Sequence, residues 1–184
     1  MMSIHRRALL SGAAAALALS ACSSGGREGA AKVDARVDAA LAFIDSNHPD
    51  TKELREKSSG MLVMPLVTEA SFMYGGAYGR GALRINGATV DYYSATQASF
   101  GIQAGAQQYA HVLFFMTEEA LSDFRASQGW AAGADIEYVS KDIGGNLGAE
   151  TTTALAPIVG IVFGQAGLLA GASVTGTKYT RIIP

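Results

Sequence analysis

The chain reads as an α+β protein in which N-terminal helices precede a curved, mainly antiparallel, glycine-rich β-sheet or barrel-like core with one short helix inserted. Three observations predict this. Apolar residues recur at helical spacing at Val33, Val37, Leu41 and Ile44, and beyond Gly60 the period changes to that of strands. Asn86-Gly87 sits between two strand-like runs as a two-residue hairpin signal, and strands joined so tightly are antiparallel. Glycines punctuate the first of those runs in Gly75-Gly-Ala-Tyr-Gly-Arg-Gly81, where they permit bends and close backbone approach.

The first helix carries Lys32, Asp34, Arg36 and Asp38 away from its apolar stripe and ends before His48-Pro49. Asp50-Thr-Lys-Glu53 has the spacing of a capping box and opens a second helix to about Ser58. Met61-Leu-Val-Met64 is a strand that stops at Pro65; Ser71 to Ile85, Val90 to Ala106 and Gln108 to Met116 are further strands. Thr117 caps a short helix with Glu118 and Glu119 in its first turn, where acids complement the helix dipole. Another strand covers roughly Ala134 to Ser140, and Thr175, Thr177, Tyr179 and Arg181 alternate along a final one.

The stretch from Ala154 to Val174 is free of charge for 21 residues, with Gly160/Gly164 and Gly167/Gly171 in small-xxx-small spacing, so a membrane span has to be weighed. Pro157, Gln165 and the glycines lower its helix propensity, and the 158–162 run is β-branched. Two buried strands joined near Gln165-Ala-Gly167 are the expectation.

Residues 1–21 have the layout of a secretory signal. Arg6-Arg7 precede an apolar run from Ala8 to Leu19, shorter than the ~20 residues of a span. Leu19-Ser-Ala-Cys22 closes it with the only cysteine of the chain and resembles a bacterial lipobox, so Cys22 is the expected lipidation site. Arg6-Arg7 leaves Sec and twin-arginine export both open. Residues 22–30 form a polar, glycine-rich tether and residues 31–184 one domain. Loss of the signal removes two arginines and no acid, which takes the net charge from −2 to −4. Such a balance offers no global attraction to nucleic acid, and anionic membrane binding must come from a local patch.

Residues able to carry chemistry are few. His48 stands beside a proline turn and His111 stands alone in an apolar strand, and no cluster has metal-ligand spacing, so no metal and no cofactor is expected. A serine hydrolase using Ser94 or Ser99 with His111 has little support beyond the presence of those residue types. The glycine-rich run lacks the Gly-Lys-Ser/Thr ending of a phosphate loop and is followed by a strand. Gln97, Gln103 and Gln107, read as buried, are expected to knit strands in a structural polar network, or else to line a polar cavity.

Several motifs in order resemble the SYLF-domain family over about residues 31–184: Met61-Leu-Val-Met-Pro65, Gly75-Gly-Ala-Tyr-Gly-Arg-Gly-Ala-Leu83, Tyr92-Tyr-Ser-Ala-Thr-Gln-Ala-Ser-Phe-Gly-Ile-Gln-Ala-Gly105 and Phe163-Gly-Gln-Ala-Gly-Leu-Leu-Ala-Gly171. The resemblance implies a non-enzymatic lipid-binding module. Eukaryotic members bind phosphoinositides and some bind actin, whereas bacterial members are often exported lipoproteins. The helix around Val33 to Ile44 has as many acids as bases or more, unlike the basic N-terminal segment of eukaryotic relatives.

The expectation is therefore an acylated envelope lipoprotein, with Ser23 after Cys22 matching outer-membrane sorting, that faces the periplasm and binds phospholipid. Actin and nucleic acid are not expected as partners. Candidate headgroup contacts are Lys52, Arg55 and Lys57 on the short helix, Lys32 and Arg36 on the long one, and Arg80 and Arg84, which share one face of a strand. A structural envelope protein that binds other proteins through its sheet edges is the alternative.

Overall fold

The computed structural model describes residues 27–133, 136–139, 156–164, 167–168 and 174–184, with backbone alone at 71–74, 99–105, 137–139 and 167–168. Helix α1 spans 27–47 and buries Val33, Val37, Ala40 and Ile44, the stripe that the spacing predicts. It begins inside the glycine-rich stretch assigned to the tether, where Glu28 and Lys32 pair across one turn at 3.5 Å. Helix α2 is Thr51–Lys57. Its start differs from the expected capping box: Asp50 makes no side-chain cap bond, and the Thr51 hydroxyl instead donates to the His48 carbonyl at 2.8 Å. The turn at His48-Pro49 already supplies acceptors for the first amides, since Thr51 and Lys52 donate to the carbonyls of residues 48 and 49.

Four expected strands merge into two. β1 runs Gly60–Ile85 and β2 runs Ala88–Phe115, joined by Asn86 and Gly87 at φ 51° and 80°, both in the left-handed region that a tight hairpin needs. Pro65 does not end the first strand because the register shifts between Met64 and Val67, and a bulge accommodates the missing amide donor. A straight strand of 28 residues would be roughly 90 Å long, far beyond a domain of this size, so the hairpin must curl. Further register shifts at Ser71/Met73 and Leu83/Arg84 help it do so.

The curl brings the end of β1 back across its own beginning. A Cβ on Gly79 would lie 2.7 Å from the Leu66 carbonyl oxygen, and one on Gly81 would run into the Val63 carbonyl and the Met64 sulfur. The glycines of the first run are thus positions of backbone approach, as their place inside a strand implied.

Among the described residues the chain completes a seven-stranded sheet around β2. Helix α3, Glu118–Ala126, follows, with Thr117 as its N-cap accepting from the Ala120 amide at 3.1 Å. The remaining strands are β3 (Trp130–Ala131), β4 (Ile136–Val139), β5 (Ile158–Gly164), β6 (Gly167–Leu168) and β7 (Lys178–Ile182). The order is β3-β7-β2-β5-β4, with β1 also on β2 and β6 on β5. All pairings are antiparallel except β4 with β5. Within the apolar C-terminal run β5 and β6 pair antiparallel, Gly164 opposite Gly167, and no helix among the described residues is long and apolar enough to cross a membrane.

Two apolar clusters sit on opposite faces of the sheet. The inner one, including Leu62, Leu83, Leu113, Val162 and Tyr179, closes around Phe124 of α3, whose ring lies 4.8 Å from those of Tyr93 and Phe115 and 5.4 Å from that of Trp130. That aromatic plug is what the sheet curves around. The outer cluster seats α1 and Leu54 of α2 on Val63, Ala82, Val112, Phe114 and Ile161.

Candidate functional site

The basic residues fall into three groups along α1, and their partners differ. At its C-terminal end stand the α2 residues. Arg55 pairs with Asp45 at 2.8 Å, and Lys57 pairs with Glu53 at 2.6 Å along the same helix. Lys52 is exposed.

Along the middle of α1, Arg84 is nearly buried, its side chain 12% exposed, and holds Asp38 at 2.7 Å and Asp34 at 3.6 Å. Asp34 also accepts hydrogen bonds from the Thr89 and Tyr92 hydroxyls, each at 2.7 Å. Partial desolvation and the bond to Asp34 push the Tyr92 phenol up to about 12, so it stays a donor. The acids that made α1 look anti-membrane therefore bolt it to the β1–β2 hairpin. Arg80, four residues before Arg84 on the same face, is exposed and donates to the Tyr78 hydroxyl at 2.9 Å. Lys32 and Arg36 are exposed, Lys32 pairing with Glu28.

At the N-terminal end of α1 the chain termini of the domain meet. Pro184 packs against Gly29 so closely that a Cβ there would sit 2.7 Å from the Pro184 carbonyl carbon. Beside this contact an open cleft of about 490 Å³, largely apolar in lining, lies among Arg27, Ala30, Val90, Arg181, Ile183 and Pro184. Ile183 is 97% and Val90 41% exposed. Asp91 also borders the cleft, shared by Arg125 at 3.5 Å and Arg181 at 3.4 Å. None of the residues that form this edge carries a motif; the only signal was Ile182-Ile183 continuing past Arg181 at the end of an alternating strand.

Gln97 and Gln107 are less enclosed than their reading as buried residues implies. Gln97 is half-buried and donates to the Thr175 carbonyl at 3.0 Å, while Gln107 is exposed and donates to Glu69 across the hairpin at 2.7 Å. The side chains of Gln103 and Ser99 lie outside the described residues. Ser94 cannot serve His111: its neighbours Tyr93 and Ala95 belong to the inner cluster, so its hydroxyl points to the outer face and reaches the Thr180 carbonyl at 3.4 Å. His111 faces inward, wholly buried, with Nε2 2.7 Å from the Tyr179 hydroxyl, and burial pulls its pKa down to about 3. It is a neutral core residue. No group of His, Cys, Asp or Glu able to hold a metal occurs among the described residues.

Residues 96–181 match the family described as Ysc84: Las17-binding protein actin regulator, whose domain is the SYLF domain. That match is consistent with a SYLF-domain assignment for this part of the chain. The matched part runs from within β2 to Arg181, one residue short of the end of β7, and includes β5 and β6. β1 lies before the match and pairs with β2 along nearly its full length. The family is one of lipid- or actin-related binding domains and generally non-enzymatic. No curated protein matches the chain.

Proposed function

We propose that this protein is an exported lipoprotein, acylated at Cys22, whose SYLF domain binds phospholipid at the envelope membrane without catalysing a reaction. The observation that carries the reading is the SYLF match over 96–181 on a chain that opens with a basic, then apolar, then Leu-Ser-Ala-Cys segment. Acyl chains contribute about 0.8 kcal/mol per buried methylene, enough in pairs for a stable anchor. Outer-membrane placement, periplasmic orientation and palmitate as one of the acyl groups belong to the same proposal. Of the candidate headgroup contacts, Lys32, Arg36, Lys52 and Arg80 are exposed, while Arg55, Lys57 and Arg84 are paired with carboxylates they would have to leave.

A second reading, a module that binds another envelope protein, is favoured by the family description, which names a protein ligand, Las17. The deciding experiment replaces residues 1–22 with a cleavable signal lacking cysteine. The phospholipid reading expects the secreted protein to leave the membrane fraction at high salt and still to float with phospholipid vesicles at low salt. Retention on membranes after the salt wash contradicts the anchor, and failure to float contradicts lipid binding in favour of the protein-binding reading.

A further inference from the structure

Three large apolar side chains are exposed among the described residues, Tyr78, Val90 and Ile183, and two of them border the cleft at the N-terminal end of α1. Val90 follows the hairpin tip, Ile183 follows β7, and Pro184 on Gly29 holds these two strand ends against the first turn of the helix. Arg27 and Arg181 flank the pair. Asp91 adds no net negative charge, since two guanidiniums share it, and Glu28 faces Lys32. Exposed aliphatic groups ringed by arginines match the boundary between acyl chains and phosphates in a bilayer.

Chain length says which bilayer. Four residues lie between Cys22 and Arg27, and the five residue steps cannot span more than about 18 Å. The α2 cations stand at the other end of a helix of 21 residues, roughly 30 Å farther along its axis.

Resting on the lipoprotein reading, we infer that the edge formed by Arg27, Val90, Arg181 and Ile183 is the membrane-contacting surface. Its aliphatic side chains enter the interface of the bilayer that holds the Cys22 acyl groups, its arginines meet lipid phosphates, and α2 points away from that bilayer.

The test uses the full acylated protein in vesicles of phosphatidylethanolamine with a minor share of phosphatidylglycerol. Because Cys22 is the only cysteine and its thiol is blocked, a cysteine introduced as Ile183→Cys, Arg36→Cys or Lys52→Cys carries a fluorophore at one defined place. Each site is exposed, so labelling leaves the core intact. Flotation reports the anchor, and quenching by lipids spin-labelled near the headgroup reports the face. Several-fold stronger quenching at 183 than at 36 and 52 is expected. Protein that floats with equal quenching at the three sites, or with most at 52 or 36, overturns the surface and leaves the anchor standing. Protein that does not float overturns both.

Discussion

The two ends of α1 carry similar numbers of basic residues and differ in what those residues are doing. At the α2 end Arg55 and Lys57 are held by Asp45 and Glu53 within 3 Å. At the other end Arg125 and Arg181 divide one aspartate at longer range, and Ile183 and Val90 expose apolar surface next to them. A cation already paired inside the protein gains little by changing partner, since exposed pairs are each worth under ~1 kcal/mol and the exchange is nearly neutral. Apolar side chains in water have no such internal alternative, and their burial in an interface is a net gain. The position of the acids and of the stray aliphatics, more than the count of lysines and arginines, separates a solvated face from a binding one.

The helix and sheet hold the two ends apart, and that frame can be broken. Gly81→Val should have the largest effect, since its side chain would meet the Val63 carbonyl where β1 crosses itself; a loss of ~3 kcal/mol or more, or failure to fold, is expected in chemical denaturation. Asp34→Ala comes next. It removes the acceptor of Thr89 and Tyr92 and one carboxylate beside Arg84, and should cost ~2 kcal/mol, read as a melting temperature lower by several degrees. The tether end should then loosen first, with faster amide exchange in the first turns of α1 than in α2.

Acid perturbs the frame without favouring either end. His111 titrates near 3 when folded and at its ordinary 6.5 when unfolded, so the unfolded chain takes up the extra proton and stability is lost as pH falls from 6.5 toward 3. Between about pH 6.5 and about pH 5.5 the loss should be about 1 kcal/mol, and His111→Gln should flatten that part of the profile. The smallest effect sharpens the contrast: Lys57→Ala, breaking an exposed pair, should change stability by ~0.5 kcal/mol or less in thermal melts.

Much of this architecture is written locally. Val33, Val37 and Ile44 announce α1, Asn86-Gly87 announces the hairpin, and Thr117 announces α3, because spacing, left-handed backbone and a side-chain cap are each decided within a few residues. The length of β1 and β2 is not local. Pro65 normally ends a strand, and only pairing with β2 on both sides of a bulge carries the chain past it. The same curl moves Gln107 and Gln108 to the surface, where they bond Glu69 and Thr68 across the hairpin, although their flanks read as core. Among candidate site residues, the sequence names the cations but not their partners: Asp38 lies 46 residues from Arg84 and Asp45 lies 10 from Arg55, and only folding brings them together. The cleft at Ile183 is less legible still, being assembled from both ends of the domain and a hairpin tip.

Lipid binding by the domain itself is the claim on which the rest depends, and it can be read without the acyl anchor. The secreted protein lacking Cys22 is purified without detergent and its bound lipids are identified by mass spectrometry. Phospholipid present in a reproducible ratio to protein, and reduced when Val90 and Ile183 are both changed to aspartate, is the predicted result. Protein that carries no phospholipid while remaining folded would contradict the account.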